Sequence, residues 1–159
     1  MKGGIVVPGG FGEAGIENKM IAIRYAREKN IPFLGICYGM QLMVVEYARN
    51  VLKLQNITTQ EVDPKNKHSH AVHIINEKET HLGGTMRLGD YEGKVTYKNT
   101  IAHKTYGSKF VERHRHRYEI NTKYRPELES NGLVFSGTSP DEKYMEIAEI
   151  PENTFMVGV

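Results

Sequence analysis

Ile31-Pro32-Phe33-Leu34 runs directly into Gly35-Ile36-Cys37-Tyr38-Gly39-Met40-Gln41, and a long amphipathic pattern begins at once behind it. The apolar run reads as a strand and the pattern behind it as a helix, with Cys37 at their junction between two glycines. Strand, Gly-x-Cys-x-Gly, helix is the layout of a nucleophile elbow, where small flanking residues permit a turn too tight for ordinary side chains. Such a turn sets the sulfur at the carboxyl end of a strand and near a helix N-terminus. There the helix dipole and free backbone N–H groups favour the thiolate. A lone cysteine is most often a buried structural thiol; two glycines on a strand–helix junction turn the reading towards a nucleophile.

Working outward from the elbow, Ile5-Val6-Val7 ends in Pro8-Gly9-Gly10 as a buried parallel strand would. A helix is predicted over residues 17–29, with Met20, Ile23 and Arg27 on one face and Asn30 as its stop. Behind Cys37, the residues Met40, Met43, Val44, Tyr47, Val51 and Leu54 recur at helical spacing as a core-facing stripe. Strand, helix, strand, helix in this order predicts a right-handed βαβ unit and a parallel sheet. The middle is more polar, with one strand-like run, Ala71-Val72-His73-Ile74-Ile75. Leu82-Gly83-Gly84-Thr85-Met86-Arg87-Leu88-Gly89 reads as a Gly-punctuated turn followed by a strand. Later runs at 132–136, 145–150 and 155–159 read as closely spaced strands, hairpin-like and partly antiparallel. No repeat, linker or low-complexity tract divides the chain, so a single domain over residues 1–159 is expected.

Composition narrows the function classes. A chain of 159 residues, 39% hydrophobic, suits one soluble domain with a real core, and its mean hydropathy of −0.49 agrees. A net charge of +2 implies no general attraction to nucleic acid or membrane. One cysteine cannot form an internal disulfide, which fits a reducing compartment. No run reads as a signal peptide or crosses a bilayer, so a cytoplasmic protein is expected.

Four constellations carry candidate chemistry. Pro8-Gly9-Gly10-Phe11-Gly12 ends the first strand, and successive glycines let backbone N–H groups turn towards an anion. Gly10-x-Gly12-x-x-Gly15 also fits the dinucleotide fingerprint, yet the second strand ends in Gly35-Ile36-Cys37 without the acidic residue that fingerprint needs. Cys37 is the second, and a cysteine nucleophile needs a histidine base oriented by a carboxylate. Seven histidines are present, and spacing selects none of them. The third is the basic run Glu112-Arg113-His114-Arg115-His116-Arg117-Tyr118-Glu119. If it is extended, alternation puts Arg113, Arg115 and Arg117 on one side, and His114 and His116 on the other. It suits an arginine fork on a carboxylate, a phosphate or RNA contact, or a solvated loop. The fourth is His68-x-His70-x-x-His73, which lacks a properly spaced fourth ligand for zinc and reads as surface.

Taken in order, the Pro8-Gly9-Gly10-Phe11-Gly12 loop, the Cys37 elbow, Leu82-Gly83-Gly84-Thr85-Met86-Arg87-Leu88-Gly89 and the 112–121 run resemble the glutaminase domain of CTP synthases, which are class I glutamine amidotransferases. The resemblance runs from about Gly4 to Val159. It implies an α/β fold, three-layer and flavodoxin-like, with a mostly parallel sheet and a small antiparallel extension. It implies that Cys37 attacks the side-chain amide of glutamine and forms a glutamyl thioester, with the N–H groups of Gly10 and Tyr38 as the oxyanion hole. Gly9, Gln41, Glu61, Arg117 and Tyr118 match substrate-holding positions, Arg117 for the α-carboxylate and Glu61 for the α-ammonium. No metal or cofactor is implied for the glutaminase step. ATP and magnesium serve a separate synthetase domain, which takes the ammonia to convert UTP into CTP in a homo-oligomeric enzyme. GTP is the effector the family implies, and Glu13-Ala14-Gly15 departs from the Arg that relatives commonly carry there. Family members begin with further strands and continue past the last strand into Gln-Phe-His-Pro-Glu, the catalytic His and its Glu. The expectation is therefore a domain truncated at both ends, with Cys37 a poor nucleophile alone. The alternative is a non-catalytic glutamine-binding or regulatory remnant, and a nucleic-acid binder built on Arg113, Arg115 and Arg117 is the third reading.

Overall fold

In a computed structural model, the structure describes residues 3–65, 69–74 and 86–159. The front of the chain builds as its periodicity predicts. Strand β1 (Ile5–Val7) leads into helix α1 (Ile16–Lys29), which returns to strand β2 (Phe33–Gly35) and helix α2 (Tyr38–Asn50). Asn30 ends α1 in the left-handed conformation (φ 52°), as its short polar side chain allows. β1 and β2 are parallel, with Val6 opposite Leu34. The predicted face of α1 does bury Met20 and Ile23. Arg27 faces the same way for a different reason: its guanidinium makes two hydrogen bonds, at 2.9 and 2.7 Å, to the fully buried Glu46 of α2.

The rest of the chain completes one sheet and adds a second. A short β3 (Thr58–Thr59) is followed by β4 (His70–Ile74), the long β5 (Arg87–Val95) and a short helix α3 (Ile101–Tyr106). Then come β6 (Lys109–His116), β7 (Tyr118–Ile120), a 3-10 turn at Thr122–Tyr124 and helix α4 (Arg125–Ser130). Strands β8 (Val134–Thr138), β9 (Met145–Glu149) and β10 (Met156–Gly158) close the chain. The large sheet runs β1-β2-β10-β9-β8-β5-β6, parallel across β1, β2 and β10 and antiparallel from β10 outward. The large sheet is therefore mixed and not mostly parallel as expected: two of its pairings are parallel and four antiparallel. The expected small extension grows into a four-stranded arm because the long β5 and β6 pair with each other and join β8 and β9; β10 links the halves, parallel to β2 and antiparallel to β9. The small sheet is β3-β4-β7.

Helix α2 lies between the two sheets, touching β1, β2, β9 and β10 on one side and β3, β4 and β7 on the other. That position explains why Tyr38 to Ala48 are buried without interruption, where the sequence stripe marks only one face. The main core gathers around α2, with Phe33, Met43, Val44, Ile57, Leu133 and Phe135 shielded from solvent. A smaller cluster of Ala102, Phe110, Ile147 and Val157 packs on the opposite face of the large sheet. Helices α1, α2 and α4 share the main core, and the short α3 lies against β5 and β8 with the smaller cluster, which gives the α/β, flavodoxin-like arrangement. No helix among the described residues is long and apolar enough to cross a membrane. The predicted turn at residues 82–85, with His68 and His81, lies outside the described residues.

Candidate active site

Cys37 occupies the junction of β2 and α2 with φ 52° and ψ −102°, a backbone region that non-glycine residues rarely adopt. The turn is therefore tight, but the strain falls on the cysteine and not on its neighbours. Gly35 and Gly39 are needed for close approach instead. A Cβ on Gly35 would sit 2.7 Å from the Gly39 carbonyl carbon, and one on Gly39 would collide with the Val7 carbonyl oxygen. The helix start is thereby pressed onto the ends of β1 and β2. β10 ends beside it, where the Val159 carbonyl accepts a 2.6 Å hydrogen bond from the Cys37 N–H.

The thiol behaves differently from the expectation for a helix N-terminus. Burial pushes the Cys37 thiol above its ordinary value, and the Glu119 and Glu61 carboxylates add to that; the Tyr38 backbone N–H works against them. Desolvation of the anion outweighs the one N–H group that faces it. Among the described residues, no histidine hydrogen-bonds the sulfur.

The glycine loop of residues 8–12 lies against the elbow. A Cβ on Gly9 would stand 3.8 Å from the Cys37 Cβ, and one on Gly10 would stand 3.4 Å from the Tyr38 ring. Glu61 Oε1 accepts from the Gly12 N–H at 2.8 Å, and the Tyr38 hydroxyl donates to the Gly12 carbonyl at 2.6 Å. Gln41 is buried and donates from Nε2 to the Tyr118 carbonyl at 2.8 Å.

Cys37, Met40 and Gln41 form one wall of a cavity of about 270 Å3, whose other walls include His114, His116, Glu119 and Glu146. This is room for a small polar ligand, just below the usual drug-sized range of about 300–1,000 Å3. The second wall is ionic. Arg87 donates from Nη1 to Glu119 at 2.7 Å and from Nη2 to Glu146 at 2.8 Å, and its guanidinium carbon lies 4.5 Å from the ring centres of both Tyr91 and Tyr144. His114 faces an acceptor at each nitrogen, the Glu112 carbonyl at 3.0 Å and Glu146 at 2.8 Å. Two acceptors are best met by two N–H donors, so the setting favours the imidazolium form. Its pKa is accordingly raised: burial opposes the charge, but the Glu146 partner prevails. Against burial, the hydrogen bonds from His114 and Arg87 hold Glu146 down to about 2. Glu119 is less well supplied, and burial pushes it up to about 7 despite Arg87. His116 donates to the Tyr118 carbonyl at 2.9 Å, and burial lowers it to about 4, so it stays neutral.

Of the residues singled out from sequence, the structure gathers Cys37 and Gln41 in the cavity, with Gly9, Gly10, Tyr38 and Glu61 around the loop beside it. Tyr118 joins through its carbonyl. Arg117 sits exposed at the bend between β6 and β7 and does not line the cavity. The alternation expected for the basic run holds along β6, where Arg113 and Arg115 are exposed while His114 is buried and His116 nearly so. Arg87 and Glu146 carried no chemical signal in the sequence, because their partners lie 32 and 59 residues away in the chain. His70 gives its Nε2 to the Asp63 carbonyl at 2.6 Å. Among the described residues, no group of three or more His, Cys, Asp or Glu side chains could hold a metal ion.

Comparison with known proteins gives this geometry a family. The profile of the family "Glutamine amidotransferase class-I" matches residues 2–159. The CTP synthase of Aquifex aeolicus is 52% identical over 158 residues, covering 98% of this chain and 29% of that protein. The CTP synthase of Archaeoglobus fulgidus is 53% identical over 156 residues, covering 96% of this chain and 29% of that protein. The chain thus spans under a third of the length of these relatives. Among solved structures, the glutaminase domain of Trypanosoma brucei CTP synthase, with bound acivicin, superposes with a TM-score of 0.90 at 36% identity, over 98% of this chain and 61% of that one. The strand–Cys37–helix elbow, the glycine loop and the mixed seven-stranded sheet are thus found in a chain that belongs to the class I glutamine amidotransferases, within the glutaminase domains of CTP synthases.

Proposed function

We propose that this chain hydrolyses glutamine through Cys37 and supplies the ammonia to a synthetase domain that aminates UTP to CTP. The observation that supports it most is Cys37 in strained geometry, beside a glycine loop and lining a cavity of about 270 Å3. The sulfur adds to the side-chain carboxamide carbon of glutamine. The resulting oxyanion is held by the N–H groups of Gly10 and Tyr38, each worth about 10²–10³ in rate. The C–N bond then breaks, ammonia leaves with the thiol proton, and a glutamyl thioester remains. Water cleaves the thioester to glutamate and restores the thiol. Gly9, Gln41, Glu61, Arg117 and Tyr118 hold the substrate, with Glu61 on the ammonium and Arg117 swinging in from its exposed bend to the carboxylate. In the family pattern the base follows the strand that corresponds to β10. Here that strand reaches the Cys37 N–H, the place from which a base meets the sulfur. ATP and magnesium act on the synthetase side, outside these residues.

A second reading, glutamine binding without turnover, is favoured by the raised thiol pKa and by the lack of an imidazole on the sulfur among the described residues. Ammonia release from glutamine, compared between the protein and its Cys37→Ala variant, separates the two. Release that disappears with Cys37 supports the hydrolase; calorimetric binding with no release supports the second reading. Release that survives in Cys37→Ala contradicts the thioester route.

A further inference from the structure

Between Pro8 and Gly12 the chain belongs to no sheet, and the N–H groups of Gly9, Gly10 and Phe11 donate to no acceptor among the described residues. A segment with three glycines in five residues has little intrinsic stiffness, so its orientation must be imposed from outside. Among the described residues, the loop is gripped at Gly12, through both its N–H and its carbonyl. The Tyr38 hydroxyl donates to its carbonyl at 2.6 Å, and its N–H donates to Glu61 at 2.8 Å. Gly12 itself has φ +73°, so the chain reverses at the gripped residue.

Tyr38 is built for this task. Its side chain is almost wholly buried, its ring packs beneath Gly10, and the Lys19 ammonium lies 5.3 Å from the ring centre while donating to the Ala14 carbonyl at 3.3 Å. Because Tyr38 follows Cys37 directly, one residue presents its backbone N–H to the sulfur and its hydroxyl to the loop. The distance between elbow and loop is thereby fixed by a rigid aromatic spacer.

We propose that the Tyr38 hydroxyl and the Glu61 carboxylate clamp the Gly12 peptide and so hold the unpartnered N–H groups of the glycine loop towards Cys37. Tyr38 is then a positioning residue through its side chain, apart from any role of its backbone. The inference rests on the proposed glutaminase reading for its catalytic meaning, while the clamp itself can be read without catalysis.

The test uses Tyr38→Phe, which keeps the ring and removes only the hydroxyl. The chloroketone analogue of glutamine reports on the hole: the sulfur meets a carbonyl whose oxygen becomes an oxyanion, a C–S bond forms, chloride leaves and the thiol proton passes to water. Iodoacetamide, which is displaced directly, reports on the thiol alone. The expected result is a maximal chloroketone rate lowered about fivefold or more by loss of one hydrogen bond, with analogue affinity within twofold and the iodoacetamide rate unchanged. An unchanged chloroketone rate, or equal losses with both reagents, overturns the proposal. Amide exchange of Gly12, followed by 15N NMR in the same variant, should accelerate by a similar factor, and an unchanged rate overturns the clamp. A parent protein that labels no faster with the analogue than with iodoacetamide, yet shows the Gly12 acceleration, counts against the glutaminase reading and not the clamp. If Tyr38→Phe does not fold, Glu61→Ala is read on the Gly12 amide in the same way.

Discussion

The two walls of the Cys37 cavity are made of different materials. On the elbow side, backbone does the work: Gly35, Gly39 and the strained Cys37 bring β1, β2 and α2 within van der Waals limits, and no charged side chain takes part. On the far side, four ionisable lining residues, His114, His116, Glu119 and Glu146, are tied together largely out of solvent, with Arg87 behind them bridging the two carboxylates. The first wall cannot accept added atoms, and the second cannot lose any. The difference shows how one small cavity combines a tightly positioned thiol with a polar lining tied up by its own ion pairs.

The largest effect should come from breaking the ionic wall. Glu146→Gln leaves Arg87 and His114 facing a neutral partner, and a buried pair with one partner removed typically loses about 3–5 kcal/mol; chemical denaturation checks this. On the elbow wall, Gly39→Ala forces a methyl group into the Val7 carbonyl, with an expected loss of about 3 kcal/mol by the same measurement. A loss under about 1 kcal/mol would mean that α2 is free to slide, and the contrast between the walls would fail.

Acid sharpens the comparison. Glu146 is held at about 2 in the folded state against an ordinary 4.5. Between those values the unfolded chain binds the proton first, so the stability that Glu146 contributes is complete above pH 4.5 and lost as pH falls towards 2. The gap in stability between the parent and Glu146→Gln should therefore narrow from pH 5 to pH 2.5, and a constant gap would contradict the assignment. On the elbow wall the pH effect is on reactivity. With the Cys37 thiol raised by burial, its alkylation by iodoacetamide should climb about tenfold per pH unit through pH 8 and beyond, whereas a plateau near pH 7 would show a thiolate already formed. The smallest effect is reserved for charge outside both walls: Lys94→Ala breaks the exposed Lys94–Glu142 pair and should change stability by under about 0.5 kcal/mol.

The same contrast decides what could be read from the sequence. The elbow wall is local: apolar runs, helical spacing and glycines within residues 5–41 specify β1, α1, β2 and α2, and Asn30 stops α1 where expected. The ionic wall is assembled by register. Arg87 stands opposite His116, and Gly89 opposite His114, only because β5 and β6 pair along their whole length, and Glu146 arrives from β9 across the sheet. Alternation along the basic run did place His114 and His116 on one face, but nothing local says which carboxylates meet them. Burial of Cys37 is likewise a property of the assembled cavity, which is why a motif that promises a thiolate is accompanied by a raised thiol.

The central claim, that Cys37 is the nucleophile of a formed glutamine site, is tested most directly by mass spectrometry of the protein treated with an electrophilic glutamine analogue, beside a plain alkylating agent. With one cysteine in the chain, the adduct is unambiguous. Cys37 should be labelled by the analogue at least about ten times faster than by the plain reagent, and glutamine should suppress that labelling. Labelling at the plain rate, with no protection by glutamine, would contradict it.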